Sequence, residues 1–171
     1  MTEPQPELAS THEIAPSEVP AHWGRAYTAP EITVYYDRGR CIHYAACVRG
    51  LPEVFDTAKK PWIQPAQAQA DAVAEVVRRC PTGALHYVYA AHGGPPELPE
   101  PATVEVRENG PLFLRGDLTL HAPDTASPGG PVHDTRAALC RCGQSGNKPF
   151  CDGSHRQAGF VAPGGAKINT A

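Results

Sequence analysis

The chain has 171 residues and a formal net charge of −3, with 15 Lys or Arg against 18 Asp or Glu. That balance argues against a protein that holds nucleic acid by neutralising phosphates, and against a polybasic membrane anchor. Leu, Ile, Val and Phe together number 30, a thin apolar supply without the high net charge of a disordered chain, so a staple besides the core is expected.

Residues 1–30 carry four Glu, one Arg and several Pro, the composition of an N-terminal arm. Its first ten residues have neither a basic start nor an apolar run of signal-peptide length. No stretch reaches the roughly 18 apolar residues of a membrane-spanning helix. A cytoplasmic protein without a membrane partner is expected, and its thiols should be reduced.

Residues 31–92 form the first expected domain, with seven basic and six acidic residues. Glu31 to Tyr36 reads as a strand, and His86 to Ala90 as a second strand that pairs with it. Between them, Pro52 to Trp62 suggests a hairpin. Gln67 to Arg79 has Val73, Val76 and Val77 at helical spacing, which places Cys80 at the end of a helix on its buried side. Phe55, Trp62 and Tyr87 are expected in the core. Residues 93–102 hold Pro95, Pro96, Pro99 and Pro101, the composition of an extended linker.

Residues 103–171 form the second expected domain. Thr103 to Arg107, Asn109-Gly110 and Pro111 to Arg115 alternate as a hairpin does. Asp117 to Leu120 suggests a third strand, and 127–131 a loop. His121 and His133 are expected in solvated loops. The whole reads as α+β.

Six cysteines, at positions 41, 47, 80, 140, 142 and 151, fall three to each half. Odd numbers suit two metal centres better than local disulfides. In the second half, Cys140, Cys142, Cys151 and His155 lie within sixteen residues, separated by Gly and Pro that permit a tight wrapping loop. By spacing alone this is a Cys3His zinc site or an iron-sulfur site.

The string from Cys140 to His155 resembles the CDGSH iron-sulfur family, whose pattern Cys-x-Cys-x2-Ser/Thr-x3-Pro-x-Cys-Asp-Gly-Ser-His it meets at every fixed position. The resemblance implies a 2Fe-2S cluster with Cys140 and Cys142 on one iron, and Cys151 and His155 on the other. Asp152 is expected to accept bonds from the loop backbone or to cap the short helix carrying His155. Arg141 and Lys148 are expected either to donate to cluster sulfurs or to sit in solvent.

In the first half, Cys41-Ile42-His43-Tyr44-Ala45-Ala46-Cys47 and Cys80-Pro81-Thr82-Gly83-Ala84-Leu85 compare with the bacterial ferredoxin run, with Tyr44 where the middle cysteine would stand. They resemble the divergent single-cluster ferredoxin family over roughly residues 31–90, which implies a small ferredoxin-like domain ahead of a β-rich CDGSH-type one. Cys41, Cys47 and Cys80 would hold a 3Fe-4S cluster. The alternative is a 4Fe-4S cluster in which His43 is the fourth ligand; otherwise His43 is a hydrogen-bond donor behind the ligands. Tyr44 is expected to pack over the cluster.

No Gly-rich nucleotide loop, Ser-His-Asp set or carboxylate cluster stands out, so no enzyme activity is expected. The expected function is a two-cluster ferredoxin carrying single electrons between a reductase and an oxidase or monooxygenase. The alternative is a cluster donor or a redox or pH sensor that uses a labile His-ligated 2Fe-2S cluster; a third possibility is that both clusters only staple small folds.

Overall fold

The computed structural model describes residues 19–90, 97, 101–121 and 130–165. Two antiparallel three-stranded sheets follow one another along the chain, with a few short helices, so the class is α+β. Among the described residues no helix is long and apolar enough to cross a membrane.

The first sheet has the order β1 (Arg25–Thr28), β2 (Ile32–Tyr36) and β3 (Leu85–Tyr89). The expected pair of strands forms, with Val34 opposite Tyr87 and Ile32 opposite Tyr89. Between β2 and β3 run α1 (Ala46–Gly50), a Phe55–Ile63 bridge and α2 (Ala70–Arg78). Helix α2 is shorter at its start than the reading from Gln67, because Pro65–Gln67 makes a separate 3-10 turn. Val73, Ala74, Val76 and Val77 bury one face of α2 against Val34, Phe55, Leu85 and Tyr87. The other face stays wet, and Glu75 pairs with Arg79 one turn on. Pro81 lacks the N–H that would continue the helix beyond Cys80.

Residues 20–30 correct the boundary of the arm. A 3-10 turn, Ala21–Trp23, buries the Trp23 indole, and β1 extends the sheet. The first 18 residues of the expected arm lie outside the described residues.

The second sheet has the order β4 (Thr103–Val106), β5 (Leu112–Leu120) and β6 (Val132–Leu139). The expected hairpin forms, with Asn109 at φ 51 in its turn. Asp117 to Leu120 is not a third strand; it continues β5 past an irregularity between Arg115 and Leu118, where Gly116 takes a φ of 130°. The third strand is β6. His133 lies within it and meets Thr119 Oγ1 at 3.2 Å, so it is not in a loop.

β6 buries charge where most strands bury Val or Ile. Arg136 donates to the carbonyls of Val77, Cys80 and Leu85 and to Glu97. Asp134 receives Arg40, whose Nη2 also reaches Arg136 O at 2.7 Å. His86 of β3 is fully buried between Glu97 (3.1 Å) and Asp134 (3.5 Å), and stacks on Trp23 at 4.2 Å. Glu97, expected in an open linker, is therefore part of a buried charge network joining the two sheets. Each charge has an opposite partner, without which burial would be prohibitive.

Gly83 belongs to the same seam. Its φ is +65°, and a Cβ there would strike the Arg136 carbonyl and the Arg40 guanidinium. Only glycine suits both demands.

Candidate metal centres

The loop from Cys41 to Cys47 begins after a 3-10 turn at Arg38–Arg40, which Asp37 caps through Gly39 N. His43 and Ala45 adopt left-handed φ values of 55° and 66°. Alternating backbone of this kind folds a short loop into an anion-binding concavity. α1 then carries Cys47, while Cys80 arrives from the end of α2. Cys41, Cys47 and Cys80 line one cavity of about 30 Å³ with Tyr36, Tyr44 and Trp62. Burial and the neighbouring Cys80 and Cys41 push the Cys47 thiol up to about 11. Cys80 Sγ lies 3.4 Å from Thr82 Oγ1, which also accepts Ala84 N at 3.2 Å.

His43 is exposed and lines a wider groove of about 630 Å³ that shares only Cys41 and Cys47 with the inner cavity's thiols. Tyr44 also lines the inner cavity, and its ring turns edge-on to Phe113 of β5 at 5.7 Å. Phe55 and Tyr87 are buried as expected, whereas Trp62 is half-buried and lines both spaces.

In the second half, β6 delivers Cys140 and Cys142. A Leu139–Phe150 bridge brings Cys151 alongside, with Cys140 N bonded to Pro149 O and Cys151 N to Ala138 O. The helix α3 (Ser154–Gln157) presents His155, and Gly153 precedes it with a φ of 92°. Asp152 performs the first expected task, accepting Gly146 N on Oδ2 at 2.8 Å and Ser154 N and Oγ on Oδ1, while the cap position of α3 falls on Gly153 and carries no side-chain cap. These bonds, that of the Ser154 hydroxyl first, hold its carboxyl down at about 2.

Four candidate ligands stand as two pairs. Cys140 Sγ and Cys142 Sγ are 3.8 Å apart, and Cys151 Sγ and His155 Nδ1 are 3.4 Å apart. Two thiolates on one tetrahedral metal should be separated by about 3.8 Å, and a thiolate and an imidazole by about 3.5 Å, given bonds of ~2.3 and ~2.0 Å. Among the described residues no three such side chains converge on one ion position. Each pair thus has the separation of two donors on one metal.

The thiols of this loop are shifted in opposite directions. Desolvation at Cys140 is outweighed by backbone bonds from Ser145 and Gly143 and by Cys142, which lower its thiol. Burial holds Cys151 above its ordinary value, while burial and Arg156 hold His155 below its own. A depressed imidazole is neutral at physiological pH, the form that binds a metal. Arg141 neither meets a sulfur nor sits free: it donates to the carbonyls of Gly110, Arg107 and Pro163. Lys148 donates to Ser145 O at 3.1 Å.

Comparison with known proteins decides the family. The model for a divergent 4Fe-4S mono-cluster matches residues 27–90, and that for a CDGSH-type iron-binding zinc finger matches 109–156. The protein YjdI of Escherichia coli K12 is 41% identical over 63 residues, which are 37% of this chain and 83% of that relative. Its counterpart in E. coli O157:H7 matches equally well. The chain belongs to the divergent 4Fe-4S mono-cluster family, with a CDGSH domain fused behind it. It is an iron-sulfur protein.

The seam between these two domains holds residues that motif reading passes over. Ile42, next to Cys41, is 3% exposed and clusters with Phe113, Ala138 and Cys151. Arg156, next to His155, donates to Ile42 O at 2.9 Å. Asn147 Nδ2 reaches Gly39 O at 2.9 Å, and Arg40 lies over the Phe150 ring. A buried-looking Ile inside a polar metal loop was the available signal for this contact.

Proposed function

We propose that the chain is a two-cluster iron-sulfur electron carrier, passing single electrons between a reductase and an oxidase or monooxygenase, with no substrate site of its own. The adjacency of the two ligand sets carries this reading: Ile42 joins Cys41 to the apolar cluster around Cys151, and its carbonyl is held by the neighbour of His155.

Cys140 and Cys142 hold one iron of a 2Fe-2S cluster, and Cys151 and His155 the other. Cys41, Cys47 and Cys80 hold a 3Fe-4S cluster. This is supported by the inner cavity, whose lining has three cysteines and, among the described residues, no histidine. The alternative is the 4Fe-4S cluster of the family description, with His43 turning in from the outer groove as fourth ligand.

The bound clusters supply reversible one-electron acceptance. The chain's own groups set the conditions. The amides of Gln144 and Gly153 donate to Cys142 and Cys151 sulfurs at 3.4 Å, which disperses thiolate charge and raises the potential. A neutral His155 in place of a thiolate acts in the same direction. A cluster-donor role is the second reading, favoured by the half-exposed Cys140 and Cys142. Cytoplasmic residence suits either.

Electron paramagnetic resonance of anaerobically purified, oxidised protein, with iron counted on the same sample, tests the assignment. About one spin and about five irons per chain are expected, from one 3Fe-4S and one 2Fe-2S centre. A silent spectrum with about six irons would replace the first by 4Fe-4S. Zinc in place of iron would end the electron-carrier reading.

A further inference from the structure

The groove outside the first cysteine loop has a composition that metal binding does not account for. Tyr27, Tyr36 and Trp62 give it an aromatic lining, and Arg25, Lys59 and Lys60 rim it. Among the described residues no carboxylate lines it. The three cations are exposed. Lys59 has Asp56 at 3.5 Å, an exposed pair in which the ammonium is half open to water, and Arg25 lies over the Tyr27 ring. Such pairs neutralise little in solvent. The first domain is otherwise nearly balanced in charge, so this is a local cationic patch rather than a property of the whole surface.

An apolar floor with a charged rim is the anatomy of a protein docking site. Cys41 and Cys47 form part of its wall. A partner seated there would lie directly against the first cluster's ligand loop, while Ile42 carries the next residue of that loop into the second domain. We propose that this groove is the docking face for an acidic redox partner protein, whose carboxylates meet Arg25, Lys59 and Lys60. The proposal rests on the electron-carrier reading and names the partner's chemistry. Three cations suit a cluster of carboxylates and are too few to track a nucleic-acid backbone. Their role is to steer encounter, so the effect should appear in association rate and salt dependence.

The test uses the full chain with its clusters, reduced and mixed by stopped flow with two cobalt(III) oxidants of opposite charge, the anionic tris-oxalato and the cationic hexaammine complexes. One electron leaves the protein and converts cobalt(III) to cobalt(II); no protein bond forms or breaks. The rate with the anionic reagent should fall as salt rises, the sign of attraction at this face. The doubly substituted Lys59→Glu, Lys60→Glu protein should lose about tenfold with that reagent at low ionic strength and gain with the cationic one. The difference should vanish near ~1 M salt, where the screening length is about 3 Å. Unchanged visible absorption would show that the clusters remain in place, and Lys59→Gln, Lys60→Gln should fall between.

Calorimetric titration with a short polyglutamate peptide gives a second readout that needs no electron transfer. The native chain should bind it at low salt and the charge-reversed chain should not. Identical salt slopes in native and charge-reversed proteins would overturn the proposal. So would tighter binding of a single-stranded oligonucleotide than of the peptide at equal charge. Peptide binding that behaves as expected, while neither oxidant takes an electron, would remove the electron-carrier reading and the redox partner with it.

Discussion

The two domains solve the same problem, holding a cluster with few residues, in opposite ways. The first surrounds its cysteines with a real core: Val34, Val54, Phe55, Ile63, Val73, Val77 and Tyr87 are all but fully buried, and α2 packs across the sheet. The second has Phe113 and two alanines, plus Ile42 lent by its neighbour. A fold with so little apolar burial depends on its metal and on the seam. The contrast teaches that the first domain is the scaffold and the second is a ligand loop mounted upon it.

Iron removal should separate the two domains most visibly. Anaerobic chelation should leave β2, α2 and β3 protected in hydrogen exchange, while β4 to β6 approach unfolded-chain rates. Equal loss in both sheets would contradict the division into scaffold and mounted loop.

The seam comes next. Arg136→Ala strands Glu97 and three backbone carbonyls that the guanidinium satisfies. A cost of about 3–5 kcal/mol is expected in denaturant unfolding, with the second sheet melting first. Ile42→Ala should cost about 2–4 kcal/mol. That variant should also release iron from the Cys140 to His155 site faster than from the first, which timed chelation with visible absorption would resolve.

Much of the first scaffold was legible because its signals are local. Alternation at Ile32 to Tyr36 and the Val73, Val76 and Val77 spacing point to the strand and helix that form. The second string is compact for the same reason, with Cys140, Cys142, Cys151 and His155 inside sixteen residues, whereas Cys80 reaches Cys41 and Cys47 from the far end of α2. What escaped reading is long-range. β6 hides its buried face in Asp134 and Arg136, residues that signal solvent until partners such as Arg40, Leu85 and Glu97 are known. Trp23 and Glu97 sit in Pro-rich surroundings that resemble arm and linker; His86, itself hidden in a strand, contacts both, and Arg136 also holds Glu97.

His86 also supplies the finest test, because its charge is set by the seam alone. Burial opposes its protonation, yet Glu97 and Asp134 on either side prevail and raise its pKa above the usual 6.5. Against burial, Arg136 and then His86 lower Glu97 below its usual 4.5, and His86 and then Arg40 lower Asp134 below its usual 3.8. A raised histidine stabilises fully below its unfolded value and loses that share as pH rises through its folded value. Lowered carboxylates stabilise above their unfolded values and lose their share as pH falls through their folded ones. The two contributions overlap between about pH 4.5 and 6.5. His22, lowered by burial, works against His86 as the solution becomes acidic. The difference between native and His86→Gln unfolding curves removes the groups that do not interact with His86 and keeps its coupling to His22, Glu97 and Asp134. That difference should favour the native chain at pH 5.5 and shrink steadily above neutrality as the imidazolium deprotonates. A difference independent of pH would mean that His86 is held neutral, and the seam would then be two guanidiniums on two carboxylates with a stacked but uncharged ring between them.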